Sequence, residues 1–323
     1  MPQSIPAMLS PSETETEAPE AQRSGGTPPR DGDAGPPAAP GLVRDLIALT
    51  KPRLSALVLF TAGGGLWLSD TPVPATTAAA AVLGTTLVVG GANALNCYLE
   101  RDVDQLMGRT ALRPLPAGRL HPSAALAFGL LLSFVSVPLL TFATTPLAGL
   151  LAAVALVLYV VVYTPMKRRS SLSTLVGAVP GALPPLIGWT AATGQLDPGG
   201  LALFAILLLW QIPHSLAIGV YRRKEYEAAG LVVFPSEHGL PATRRQMLLY
   251  SLPLAAMPLV MVFLGAAGTA TLAVGSVFGA YMLWLCIDGL RSSGGARWAR
   301  RVFLFTLAHL TTLFAALAVD QWV

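Results

Sequence analysis

Asn96, Glu100 and Asp104 follow one another at four-residue intervals in the segment NCYLERDVDQLMGRTALRPLPAG, which runs from Asn96 to Gly118. On a helix turning about 100° per residue, the three share one face within an arc of about 80°. Two carboxylates and an amide oxygen in such a stripe are hard donors. Mg²⁺ is bound in this way, through one or two carboxylates, with waters and substrate phosphates completing its shell. Arg109, Arg113 and Arg119 come next in the chain, and guanidinium forks match phosphate oxygens. Together these residues have the chemistry of a metal-bridged diphosphate site. Asp102 falls off the stripe and is expected to serve the helix end or an Arg partner. A lone acid at a helix end would simply meet water at an interface. That account does not explain a stripe that begins with Asn96 one turn inside an apolar segment and ends among arginines.

Other groups have two readings each. Lys51 and Arg53 flank Pro52 at a helix start; Lys167, Arg168 and Arg169 form one basic cluster, and Arg222, Arg223 and Lys224 another. Each cluster suits an anion, and each also suits the surplus of base that cytoplasmic loops carry. Glu225 and Glu227 could add carboxylates to a metal site. His214 lies in an apolar segment, where an ionisable side chain suggests a functional site, although a hydrogen-bonded packing role fits it as well. His309 has a weaker claim, and His121 and His238 fall in loops where solvation is the default. Cys97 and Cys286 sit in apolar segments and cannot build a disulfide framework, so they read as small core residues.

The elements that position these groups must be membrane helices. Apolar residues make up 53% of the 323-residue chain and charged residues 12%, a balance that soluble domains do not show. Nine stretches approach the roughly 20 residues that a bilayer crossing needs: about 54–69, 75–96, 123–142, 146–163, 172–192, 200–220, 247–265, 268–287 and 302–319. Nine crossings place all 21 Lys and Arg on one side, and the opposite loops hold Asp70 and Asp197 without a base. The positive-inside rule then puts the N-terminus in the cytoplasm and the C-terminus outside. The formal charge of +4 therefore reflects topology and not a nucleic-acid partner. Residues 1–41 are rich in Pro, Gly, Ser, Thr and Glu and are expected to be a disordered tail, with residues 42–323 forming a single membrane domain. Pro180, Pro184 and Pro185 disfavour a regular helix in the fifth stretch, which reads either as an interrupted helix, tolerated in membranes where it lines a cavity or is buried in protein, or as a Pro-kinked packing helix.

The Asn96–Gly118 segment resembles the signature of the UbiA superfamily of intramembrane prenyltransferases. Asn96, Glu100, Asp104, Met107, Arg109, Thr110, Arg113 and Gly118 stand at its fixed places. Further stretches resemble the heme O synthases within that superfamily: TKPR at Thr50–Arg53, YTPMKRRS at Tyr163–Ser170 with GALPPLIGW at Gly181–Trp189, and WQIPHSLAIGVYRRKEYEAAG at Trp210–Gly230. The last stretch lacks the second aspartate pair usual in members that act on quinone precursors. The Asn that often follows KRRS near position 173 is Ser here, which leaves any role for that position open.

The resemblance implies an all-α bundle of nine transmembrane helices around a central cavity. It further implies Mg²⁺ on Asn96, Glu100 and Asp104, bridging the diphosphate of farnesyl diphosphate at the cytoplasmic mouth. Lys51, Arg53, Arg109, Arg113, Lys167, Arg168, Arg169, Arg222 and Lys224 would bind that diphosphate, and His214 would bind heme b, the acceptor, since neutral imidazole ligates heme iron. The setting implied is a bacterial cell membrane, with heme A synthase as downstream partner. A quinone precursor or another aromatic acceptor stays open as an alternative, as does a secondary transporter, which also combines broken helices with midplane polar groups.

Overall fold

In a computed structural model, residues 41–322 are described. The expected tail, residues 1–41, lies outside them except for Gly41. The described residues contain helices and no strand. A short helix, α1 (Leu42–Leu49), meets α2 (Pro52–Leu68) at a 51° bend. Next come α3 (Ala75–Gln105), α4 (Pro122–Ala143) and α5 (Pro146–Val157). α5 continues through a π-helical turn (Leu158–Tyr163) into α6 (Thr164–Met166). The remaining elements are α7 (Ser173–Thr193), α8 (Pro198–Tyr221), α9 (Arg223–Ala228), α10 (Phe234–Glu237), α11 (Gly239–Phe263), α12 (Thr269–Arg291) and α13 (Ala296–Asp320). Eight stretches are long and apolar enough to cross a membrane, and the bent pair α1 and α2 makes a ninth. All nine expected crossings are therefore found.

Bilayer-facing chemistry explains the bundle's surface. Phe134, Phe142, Phe263 and Val277 stand out from the helices, 67–90% exposed. Apolar side chains displayed this openly need lipid and not water as their solvent. Prolines open α2, α4, α5 and α8, where the lost N–H has no intrahelical partner in any case. Asp197 caps α8 by accepting from the Gly200 N–H at 3.0 Å, and it also accepts from the Trp189 indole at 2.8 Å.

The helices close into a ring in which α3 packs on α4, α4 on α5, α11 on α12 and α12 on α13, while α13 returns to touch α2. α7 is the most enclosed element and packs on α2, α3, α5 and α8. Of the two readings of its prolines, the packing helix is the one found: α7 runs unbroken from Ser173 to Thr193 through Pro180, Pro184 and Pro185, all buried. Neighbours on every side impose the helical path that the missing N–H donors weaken. The approach to α2 is closest of all. A Cβ at Gly65 would strike the Pro185 carbonyl, and one at Gly188 the Ala62 carbonyl. Glycine is required there because the backbones themselves are in contact, the packing mode by which small residues join membrane helices.

Gly188→Val therefore drives a methyl into a backbone that cannot yield, and should cost at least about 3 kcal/mol. Thermal denaturation in detergent should show a markedly lower midpoint or loss of the monodisperse peak. Gly63→Ala, which meets nothing within 4 Å, should behave like the parent; equal midpoints for both variants would contradict this account of the α2–α7 contact.

Candidate active site

α3 does not stop at residue 96 but continues to Gln105, so the acid stripe is helical, as its spacing requires. Asn96, Glu100 and Asp104 all line one cavity of about 520 Å³, within the size range of small-molecule sites. Asn96 and Asp104 are each 1% exposed. Buried acids and amides at this depth are costly without partners, and each is matched to a cation or donor from a different part of the chain. The Lys51 ammonium donates to Asn96 Oδ1 at 2.6 Å. Lys167 donates to Glu100 Oε1 at 2.7 Å, and Arg113 to Asp104 Oδ2 at 2.7 Å. The Asn96 amide in turn donates to Thr164 Oγ1 at 3.1 Å.

Local backbone structure explains how these cations arrive. Lys51 occupies the corner between α1 and α2 with φ of 52°, a left-handed conformation that costs a non-glycine residue about 1–2 kcal/mol. The corner directs its side chain onto the α3 stripe. Arg113 returns from the loop after α3, whose first turn is tied back by Thr110 Oγ1 donating to the Asp104 carbonyl at 2.8 Å. Lys167 follows α6 directly and lies 4.5 Å from the centre of the Tyr163 ring. Burial works against its charge, but Tyr163 and Glu100 outweigh burial and hold its pKa above the ordinary lysine value.

Arg109 also lines the cavity, with no ion-pair partner among the described residues. Tyr226 stands beside it, its phenol pushed up by burial while Arg109 pulls the other way. The remaining expected groups lie elsewhere. Arg53, Arg168, Arg169, Arg222 and Lys224 are not on the cavity wall. Arg222 pairs with Glu225 and Arg223 with Glu227, each at 2.7 Å, so those two glutamates also stand apart from the stripe. Arg119 is diverted to the buried Asp45 of α1 at 3.1 Å. Asp102 is exposed, 3.7 Å from Arg101.

Away from the stripe the cavity turns apolar. It follows α3 from Asp104 back to Val88, about 24 Å at 1.5 Å per residue, past Leu156, Ile187 and Leu207. His214 and Trp210 of α8 form part of the wall. Tyr159, Tyr163, Thr164, Gln211 and Tyr226 were not anticipated. Tyr159 and Tyr163 reach inward from the π-helical turn, a feature that often marks functional sites, and a hint of them lies in the YTPMKRRS stretch that Tyr163 opens.

Among the described residues no three His, Cys, Asp or Glu side chains gather into a metal cage. Two carboxylates and an amide oxygen are nonetheless a fitting donor set for Mg²⁺, which is commonly completed by waters and substrate phosphates. Cations already hold all three donors, so the arrangement suits a metal that arrives with an anion.

The model of the UbiA prenyltransferase family matches residues 57–309. The chain is 51% identical over 279 residues to the protoheme IX farnesyltransferase of Anaeromyxobacter dehalogenans, covering 86% of this chain and 94% of that one. Its fold is similar to that of a UbiA homologue from Aeropyrum pernix K1, at 19% identity and a TM-score of 0.69 over 83% of this chain and 98% of that one. It is also similar to a UbiA homologue from Archaeoglobus fulgidus bound to DMAPP and Mg²⁺, at 17% identity and a TM-score of 0.62 over 85% of this chain and 99% of that one. A nine-crossing helical bundle, a cavity whose mouth pairs acids with cations, and a family match over most of its length together place this chain in the UbiA prenyltransferase family.

Proposed function

We propose that this membrane enzyme transfers the farnesyl group of farnesyl diphosphate to a vinyl group of heme b, giving heme O with a hydroxyethylfarnesyl side chain. The observation that carries the reading is the single continuous cavity, which joins the acid stripe and its cations to a long apolar wall and to His214. The protoheme IX farnesyltransferase name borne by relatives at about half identity supports heme b as acceptor. The complex of a fold relative with DMAPP and Mg²⁺ supports the metal and the diphosphate. The basic loops support a site open to the cytoplasmic face of a bacterial cell membrane, with the N-terminus on that face.

Asn96, Glu100 and Asp104 would hold Mg²⁺, which when bound supplies Lewis-acid stabilisation of the departing diphosphate. Lys51, Arg109, Arg113 and Lys167 line the place where that negative charge develops and stabilise it electrostatically. The allylic carbon–oxygen bond breaks, and its electron pair leaves with the diphosphate. The vinyl π electrons of heme b form the new carbon–carbon bond. Water adds to the cation left beside the porphyrin and loses a proton, which completes the hydroxyethylfarnesyl group. Leu156, Ile187 and Leu207 surround the prenyl chain and keep water from the allylic cation before the acceptor reaches it. Arg53, Arg168, Arg169, Arg222 and Lys224 do not line the cavity, and their positive charge would act on the diphosphate only at longer range.

Glu100→Ala and Asp104→Ala should each lower heme O formation by about 10²–10³-fold, measured by mass in membranes supplied with heme b, farnesyl diphosphate and Mg²⁺. Asp102→Asn should leave it almost unchanged. Near-parental turnover by both alanine variants would refute the acid stripe as the catalytic centre.

A second outcome concerns the order of loading. Calorimetric titration with Mg²⁺ alone should give weak binding, because Lys51, Lys167 and Arg113 already hold the three donors. In the presence of a non-reactive farnesyl diphosphate analogue the affinity should rise at least tenfold. Equal affinity with and without the analogue would show that the cations do not compete for the stripe.

A further inference from the structure

His214 is fixed on three sides. Trp210, one turn earlier on α8, stacks on its ring with centroids 4.6 Å apart and planes 21° apart. Phe303 of α13 flanks it at 5.0 Å. Its Nδ1 lies 2.8 Å from Thr306 Oγ1, also on α13.

The Thr306 hydroxyl decides which ring nitrogen of His214 carries the proton. It has one proton to donate, and the Phe303 carbonyl, which can only accept, lies 2.7 Å away. Turning that proton toward His214 instead would leave two oxygens facing each other at 2.7 Å with no hydrogen between them. Thr306 is 0% exposed, so no solvent relieves that repulsion. Thr306 therefore donates to Phe303 and accepts from His214, and the proton resides on Nδ1. The lone pair is left on Nε2. Among the described residues Nε2 has no protein partner, and unlike the equally unpartnered His309 Nδ1 it is not fully enclosed. Since His214 lines the cavity, Nε2 is reachable from it.

We propose that Thr306 is a positioning residue: it sets His214 as the Nδ1–H tautomer and presents the Nε2 lone pair to the cavity as a ligand for the iron of the porphyrin acceptor. The inference rests on the heme reading above and adds to it the residue that orients the ligand. The Thr306 carbonyl accepts from the Trp210 indole at 2.6 Å, so one turn of α13 holds both the imidazole and the ring stacked on it. Orientation of a ligating histidine through its other nitrogen is a recurrent device, and loss of the orienting partner typically weakens metal binding by about 10–100-fold.

The test is titration of the full chain in detergent with ferric heme b, followed by absorbance in the Soret region. His214→Ala should abolish the imidazole-ligated band. Thr306→Val, close in volume but unable to accept a hydrogen bond, should weaken heme binding at least tenfold and shift the band. Thr306→Ser should restore both, while binding of a farnesyl diphosphate analogue stays unchanged in every variant. Should the valine variant fail to fold, Thr306→Ala replaces it with the same expectation. A parental spectrum and affinity in Thr306→Val, or a serine variant as weak as the valine, would overturn the role of Thr306. An unchanged spectrum in His214→Ala would overturn it together with His214 ligation. Product mass from the parental chain reports separately on farnesyl transfer, so failure of that reading is distinguishable from failure of this one.

Discussion

Charge compensation at the buried end of α3 is the constraint on which the rest of the site depends. Asp104 and Asn96 have almost no contact with solvent, and a carboxylate in such a place is tolerable only if paired. Each of the three oxygen-bearing side chains meets a cation from a separate element: the α1–α2 corner, the residue after α6, and the loop after α3. The stripe thereby draws distant parts of the chain to one point. Removing Lys167 or Arg113 would leave an uncompensated carboxylate, which is worse than having no pair at all. Four basic residues then line the wall beside two acids. That surplus suits a polyanion accompanied by a metal better than it suits a metal alone.

Much of the architecture holds those charges in register. Lys51 accepts a strained backbone conformation so that its side chain can cross to α3, and such strain persists only when surrounding packing imposes it. Asn93, nearly one turn before Asn96, anchors the same corner by donating to the Thr50 carbonyl and to Ser55 Oγ, each at 3.2 Å. On the far side of the corner the buried Asp45 of α1 is paired with Arg119. α7 supplies a rigid wall: Gly188 of α7 and Gly65 of α2 let the two helices approach to backbone contact, while the α7 prolines face neighbours that maintain the helix. Rigid walls are what a site for an allylic cation needs, because electrostatic stabilisation by fixed groups requires little reorganisation during reaction.

The stripe was legible in the sequence because its four-residue spacing survives into any helix, and the nine crossings because hydropathy and the placement of bases agree. Pairings such as Lys51 with Asn96 or Lys167 with Glu100 were not, since they join residues 45 and 67 positions apart. The basic clusters were legible as groups but not as individuals. Lys167 enters the cavity while Arg168 and Arg169 remain exposed, because successive residues on a helical turn point about 100° apart. The fifth crossing stayed open between two readings for a physical reason: proline's cost is local, whereas the packing that offsets it comes from four other helices. The π-helical turn and the arrival of Thr306 beside His214 leave no periodic trace, so neither Tyr159 nor Thr306 could be singled out.

The chemistry explains why one cavity must contain both ends. Departure of diphosphate needs concentrated positive charge and divalent metal, which water would otherwise screen. Survival of the allylic cation needs the absence of water along the prenyl chain. A site split between two pockets would expose the cation during transit, whereas a single cavity lets the acceptor lie against the prenyl chain before the bond breaks. The stripe occupies the C-terminal end of α3, beside the loop that carries Arg109 and Arg113, and the apolar wall extends from it back to Val88. His214 on α8 borders the same space, so that a flat acceptor held there would meet the reacting carbon with no solvent between them. The bilayer completes the arrangement, because exposed side chains such as Phe142 and Phe263 put hydrocarbon around a bundle whose interior can then stay dry.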